Sequence, residues 1–168
     1  MVPSQRPDTE NGSEEISTRK PLPVLLFAVG MAGALYDSFS GTCKLNIARS
    51  KYESAPKETT ILVEESKGIS DVTVSGTDGS GKPVAIHIAH PTDGGAVKFL
   101  EGAPTDGSTE SVKQVSANTR HITIMPSGKA VSAEQITPSA DGQMMQIVTK
   151  GTSPSREPFT DVEVYEKQ

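Results

Sequence analysis

The chain has 168 residues, 34% of them apolar and 4% aromatic, with no Trp and a net charge of −5 at pH 7. That length holds one domain and a leader, and the apolar content is too high and too periodic for a wholly disordered chain. The mild acidity offers no basic face to nucleic acid, and the single cysteine, Cys43, excludes an internal disulfide and a cysteine zinc cluster.

Residues 1–18 are polar, carry Pro3, Pro7 and Gly12, and read as disordered. Arg19-Lys20 then precedes an apolar run from Pro21 to Ala34. Positive charge ahead of a short apolar run that ends in small residues is the secretory pattern. Ala32 and Ala34 stand where a signal peptidase needs small side chains for cleavage after Ala34. The run is about 14 residues, short of the roughly 20 that span a bilayer. Segment 19–36 therefore reads as an export signal that leaves no membrane span once cleaved. The expected location is periplasmic or secreted, with residues 37–168 as the mature domain.

From residue 41 onward no stretch keeps a helical period. Short alternating runs recur instead, each closed by turn residues. Thr42 to Ala48 places Cys43, Leu45 and Ile47 on one face. Arg49 to Glu58 is a polar loop. Thr59 to Ser66 carries Ile61-Leu62-Val63, and Lys67-Gly68 turns the chain. Ser70 to Thr77 alternates Val72 and Val74 with polar residues. Asp78-Gly79-Ser80-Gly81 is a hairpin signal, because Gly takes positive φ without steric cost.

Pro83 to Ala89 puts Val84, Ile86 and Ile88 on one face. Pro91 to Gly95 breaks the chain, and Ala96 to Glu101 is a short strand. Thr109 to Ser116 alternates poorly and predicts a bulge. Thr119 to Met125 places Ile122 and Ile124 together. Lys129 to Thr137, Gln143 to Lys150 and Thr160 to Lys167 complete the series. The first run, around Cys43, and the last, Asp161 to Lys167, are expected to pair. A flat sheet of about ten strands would leave two long edges open, and closure removes both. The expected fold is an all-β, up-and-down antiparallel β-barrel of about 8–10 strands, lipocalin-like, with a β-sandwich as the alternative.

The stretch Gly41-Thr42-Cys43-Lys44-Leu45-Asn46, with Arg49-Ser50-Lys51-Tyr52 after it, resembles the opening of a group of exported bacterial proteins that have no assigned activity. Those read G-T-W-K-L-N, then a basic residue, Ser, Lys and an aromatic. Gly79 to Pro83, Ala117-Asn118-Thr119, Thr149-Lys150-Gly151-Thr152 and Val164-Tyr165-Glu166-Lys167-Gln168 are similar to further stretches of the same group. The opening also resembles, more remotely, the first strand of the calycins, the lipocalins and fatty-acid-binding proteins. There a G-x-W motif starts the barrel and its Trp seals the base. Here Cys43 stands at that Trp position, and residues 49–58 are too few for the two lid helices of the fatty-acid-binding proteins.

His87 and His90 differ by an odd number and point to opposite faces of one strand. A shared metal would need a bend near Pro91, with His121 joining across the sheet. Gly76 to Gly81 superficially suggests a phosphate loop, yet no helix follows it. No nucleophile–base pair has a recognisable context. The expected function is non-enzymatic binding of a small apolar ligand in the barrel, with no cofactor. The interior set includes Leu45, Ile47, Val72, Val74, Ile86, Ile122, Ile124 and Ile147. Met125, Met144 and Met145 either line a pocket or fill a core. One alternative is a solid-cored interaction module of the cell envelope. Another is a haem- or metal-binding barrel using His87, His90 or His121. A cavity of about 300 Å³ or more would favour the carrier, and a filled core the module.

Overall fold

The computed structural model describes residues 38–153 and 155–168. Segment 1–18, read as disordered, and segment 19–36, read as an export signal, lie outside the described residues. The strands are β1 (Gly41–Leu45), β2 (Glu58–Ser66), β3 (Ile69–Thr77), β4 (Pro83–Pro91), β5 (Gly94–Ala96), β6 (Lys98–Glu101), β7 (Thr109–Ser116), β8 (Thr119–Met125), β9 (Ser132–Pro138), β10 (Met144–Thr152) and β11 (Pro158–Lys167). Two short 3-10 turns, Ile47–Arg49 and Pro126–Gly128, interrupt them.

Neighbouring strands are antiparallel, in the order β5-β7-β8-β9-β10-β11-β1-β2-β3-β4-β6. The first and last strands pair as the sequence predicts, Cys43 opposite Lys167 and Leu45 opposite Tyr165. The Gln168 amide donates to the Thr42 carbonyl at 2.9 Å beside them.

The two strands at the ends of this order belong to one run of chain, separated only by Val97. β5 pairs with β7, Gly95 opposite Val112. β6 pairs with β4, Ile88 opposite Phe99. Between them the Val97 amide donates to the Glu110 carbonyl at 2.9 Å. Residues 94–101 thus act as one stave that changes partner halfway. Counted so, the sheet is a nearly closed up-and-down barrel of ten staves. Gly94 and Gly95, which read as part of a break, are strand residues.

Alternation sets what lies inside. Phe39, Cys43, Leu45, Ile61, Val63, Met145, Ile147 and Tyr165 form the main buried cluster. Removing such side chains from water contributes about 1.5–3 kcal/mol each. The outer face carries Lys44, Glu64, Asp71, Gln135 and Glu166, the residues that alternate with the inner set. The expected bulge in β7 falls between Gln114 and Ser116. The Asp78 carboxylate closes its hairpin by accepting from the amides of Ser80 and Lys82, each at 2.9 Å. The Ser80 hydroxyl, which donates to the same carboxylate at 2.7 Å, and these amides hold its pKa below the usual carboxylate range.

One interior expectation is corrected. Ile47 lies outside the barrel and is 44% exposed. β1 stops at Leu45, because the Asn46 side chain accepts from the Arg49 amide and caps a 3-10 turn that begins at Ile47. The turn breaks the two-residue alternation that would have carried Ile47 inward. The chain then returns to β11, where Lys51 bridges Val162.

Candidate functional site

A cavity of about 230 Å³ lies inside the barrel. Ile61 and Val63 of β2, Ile88 of β4, Val112 of β7, Ile136 of β9 and Met145 of β10 contribute aliphatic wall. Phe39, Phe99 and Pro104 complete the apolar lining. Of the interior residues expected from sequence, Val72, Val74, Ile86, Ile122 and Ile147 line the cavity. Leu45 is buried in the core cluster opposite Tyr165 and does not reach it. Ile124 shares the inner face of β8 with Ile122 but is only half-buried and stands beyond the lining. Met145 is a wall residue, whereas Met144 faces outward and its sulfur accepts from Arg49 at 2.9 Å.

Four polar side chains also line the cavity: His90, Arg120, Glu110 and Glu134. Their parity marks them, since each stands two residues from an inward aliphatic, at Ile88, Ile122, Val112 and Ile136 respectively. A search for apolar positions alone passes over them.

Strand register sorts the four between the two ends. At the base, Ser70 lies opposite both Glu65 and His90, and Arg120 opposite Gln114. Arg120 is 6% exposed and heavily engaged. Its Nε donates to Gln114 Oε1 at 2.8 Å, and its Nη2 meets Glu65 Oε1 at 2.5 Å. The guanidinium also stacks on Phe39. Phe39 is therefore the aromatic that packs at the base, four positions before Cys43. His90 is buried and hydrogen-bonds through Nδ1 with the Pro91 carbonyl at 2.8 Å. Burial lowers its pKa and keeps the ring neutral.

The other end, the mouth, is acidic. Glu110 lies opposite Ile124 and Glu134 opposite Ile122, while Glu163 lies opposite Ile147. Burial, reinforced by the charges of Glu110 and Glu163, pushes the Glu134 pKa up to about 7. Burial raises Glu110 as well. It also raises Glu163, which accepts from the Tyr165 hydroxyl at 2.8 Å. The loop after β6 brings Gly102 and Pro104 over this end of the cavity.

The histidines do not converge. His87 faces outward and pairs with Asp71 at 2.7 Å, and His121 is exposed. Among the described residues, no group of three His, Cys, Asp or Glu side chains is placed to hold a metal ion. No helix among them is long and apolar enough to cross a membrane. No protein-family model, curated protein or solved structure matches the chain.

Proposed function

We propose that the protein is a non-enzymatic binder of a small, mostly apolar ligand held inside the barrel. The observation that carries this reading is the cavity of about 230 Å³ with aliphatic walls. Its volume falls short of the roughly 300 Å³ at which drug-sized sites begin. It exceeds the ~150 Å³ apolar cavity that admits benzene. Scaling between these gives a ligand of about nine non-hydrogen atoms. A long-chain lipid does not fit that volume. The cavity weighs against a solid-cored envelope module, and the divergence of His87, His90 and His121 weighs against a shared haem or metal.

Export to the periplasm or the medium belongs to the same reading, supported by Arg19-Lys20 and the apolar run to Ala34. So does a remote relationship to the calycins, supported by the ten-stave meander and the pairing of β1 with β11.

Native mass spectrometry of the purified protein tests the proposal. A bound small molecule should accompany the wild type and disappear from Val72→Phe, which fills the cavity. Overpacking costs about 1–3 kcal/mol, so Val74→Leu serves as the milder second variant. If benzyl alcohol and similar probes fail to bind the wild type, and no molecule co-purifies, the reading is wrong.

A further inference from the structure

Glu134 occupies an unusual position. Its side chain is largely enclosed by protein, and it lines the cavity. Among the described residues it has no hydrogen-bond donor and no cation. Its charged neighbours, Glu110 and Glu163, are both acids. Tyr165, which could donate, is committed to Glu163. A buried carboxylate without a partner is costly, and proteins rarely leave one so placed.

The rest of the lining supplies no compensation. No lysine lines the cavity, and its one arginine, Arg120, is held by Glu65 at the base. His90 is neutral and bonded to Pro91. The cavity is thus apolar in the middle, neutralised at the base and acidic at the mouth. An anionic ligand would meet no free cation and at least one repelling carboxylate. The three carboxylates do not converge on a metal-sized point either.

We propose that the ligand is a small primary or secondary amine, bound as its cation, with its apolar body against the aliphatic wall and its ammonium group on Glu134, flanked by Glu110. This rests on the ligand-binding reading above and names the ligand's chemical class. An ammonium there supplies the donors that Glu134 lacks and offsets the repulsion among the acids. Charge-assisted hydrogen bonds of this kind are roughly twice as strong as neutral ones.

The test uses three probes of nearly equal size, benzylamine, benzyl alcohol and benzoate, titrated into the full chain by calorimetry at pH 8. Benzylamine should bind at least about tenfold tighter than benzyl alcohol, and benzoate weakest. Glu134→Gln, which keeps shape and removes charge, should cut benzylamine affinity about tenfold and change benzyl alcohol affinity less than about twofold. Glu110→Gln should produce a smaller loss, and thermal melts check that both variants are folded. Equal affinity for amine and alcohol overturns the inference and leaves the cavity reading standing. A preference for benzoate, or an amine preference that survives both substitutions, overturns it too. If none of the probes binds, the cavity reading falls and takes the inference with it.

Discussion

The guanidinium of Arg120 lies 3.9 Å from the centroid of the Phe39 ring, at the base of the barrel. Both groups line the cavity, and Glu65 pairs with the cation. Arg120→Met leaves the Glu65 carboxylate buried and unpaired, and should destabilise the fold by about 3–5 kcal/mol in urea melts. Removing both charges, as Arg120→Met with Glu65→Leu, should recover most of that loss. If the two single losses simply add in the double variant, the pair is not coupled as described.

Stability should fall with rising pH because of Glu134. Its folded pKa, about 7, stands above the ordinary carboxylate value of 4.5, so the folded state holds a proton that the unfolded state has released. The stabilisation is complete below the unfolded value and is lost as pH rises through about 7. The charges of Glu110 on β7 and Glu163 on β11 reinforce the effect, while the Tyr165 hydroxyl on β11 is held by Glu163. The shift corresponds to about 3 kcal/mol. Glu134→Gln should therefore be more stable than the wild type at pH 8 and nearly equal to it at pH 4.5. Chemical denaturation at the two pH values measures the difference. A gain of the same size at both would refute the assignment.

Cys43 should be inert in the native protein. It is 5% exposed, and burial raises its thiol pKa, partly countered by the charge of Lys167. A disulfide reagent should leave the folded chain unlabelled and label it fully in denaturant. The labelling rate under native conditions then reports opening of the β1–β11 pair. Rapid labelling at neutral pH without denaturant would contradict its placement.

The stave that changes partner depends on Gly94. Its φ is +108°, and a Cβ there would stand 2.8 Å from the Val112 carbonyl oxygen. Gly107, at φ +73°, has nothing within 4 Å of the same position. Gly107→Ala should cost about 1 kcal/mol for backbone strain alone. Gly94→Ala should cost more, about 2–3 kcal/mol, because strain and collision combine. Equal melting temperatures for the two variants would argue against the tight seam.

Much of this architecture is legible in the sequence because strand alternation and turn chemistry are local. The runs from Thr109 to Ser116 and from Thr119 to Met125 match β7 and β8, and the pairing of the first and last strands follows from the closure of a meander. What escapes is set by contacts distant in sequence or by a single cap. Ile47 continues the alternation of Cys43 and Leu45, but Asn46 ends the strand before the pattern reaches it. Gly94-Gly95 has the composition of a turn, and only its pairing with β7 makes it a strand. The acidic mouth is hidden for another reason. Glu110 and Glu134 occupy inward positions by parity, yet a carboxylate inside an apolar tube contradicts the ordinary preference of such residues for water. Such a conflict between local preference and position is often the mark of a functional site.

The hydrogen bond from Gln168 to Thr42 ties the last stave to the first, and the run through Val97 closes the opposite side. The staves therefore follow one another as hours do on a clock face, where midnight is a convention. Cutting the chain in the Asp78–Gly81 turn and tying Gln168 back to Ser38 by a linker would leave every strand pairing intact. The identity of the fold lies in the cyclic succession of its strands, and the position of the first codon is incidental to it.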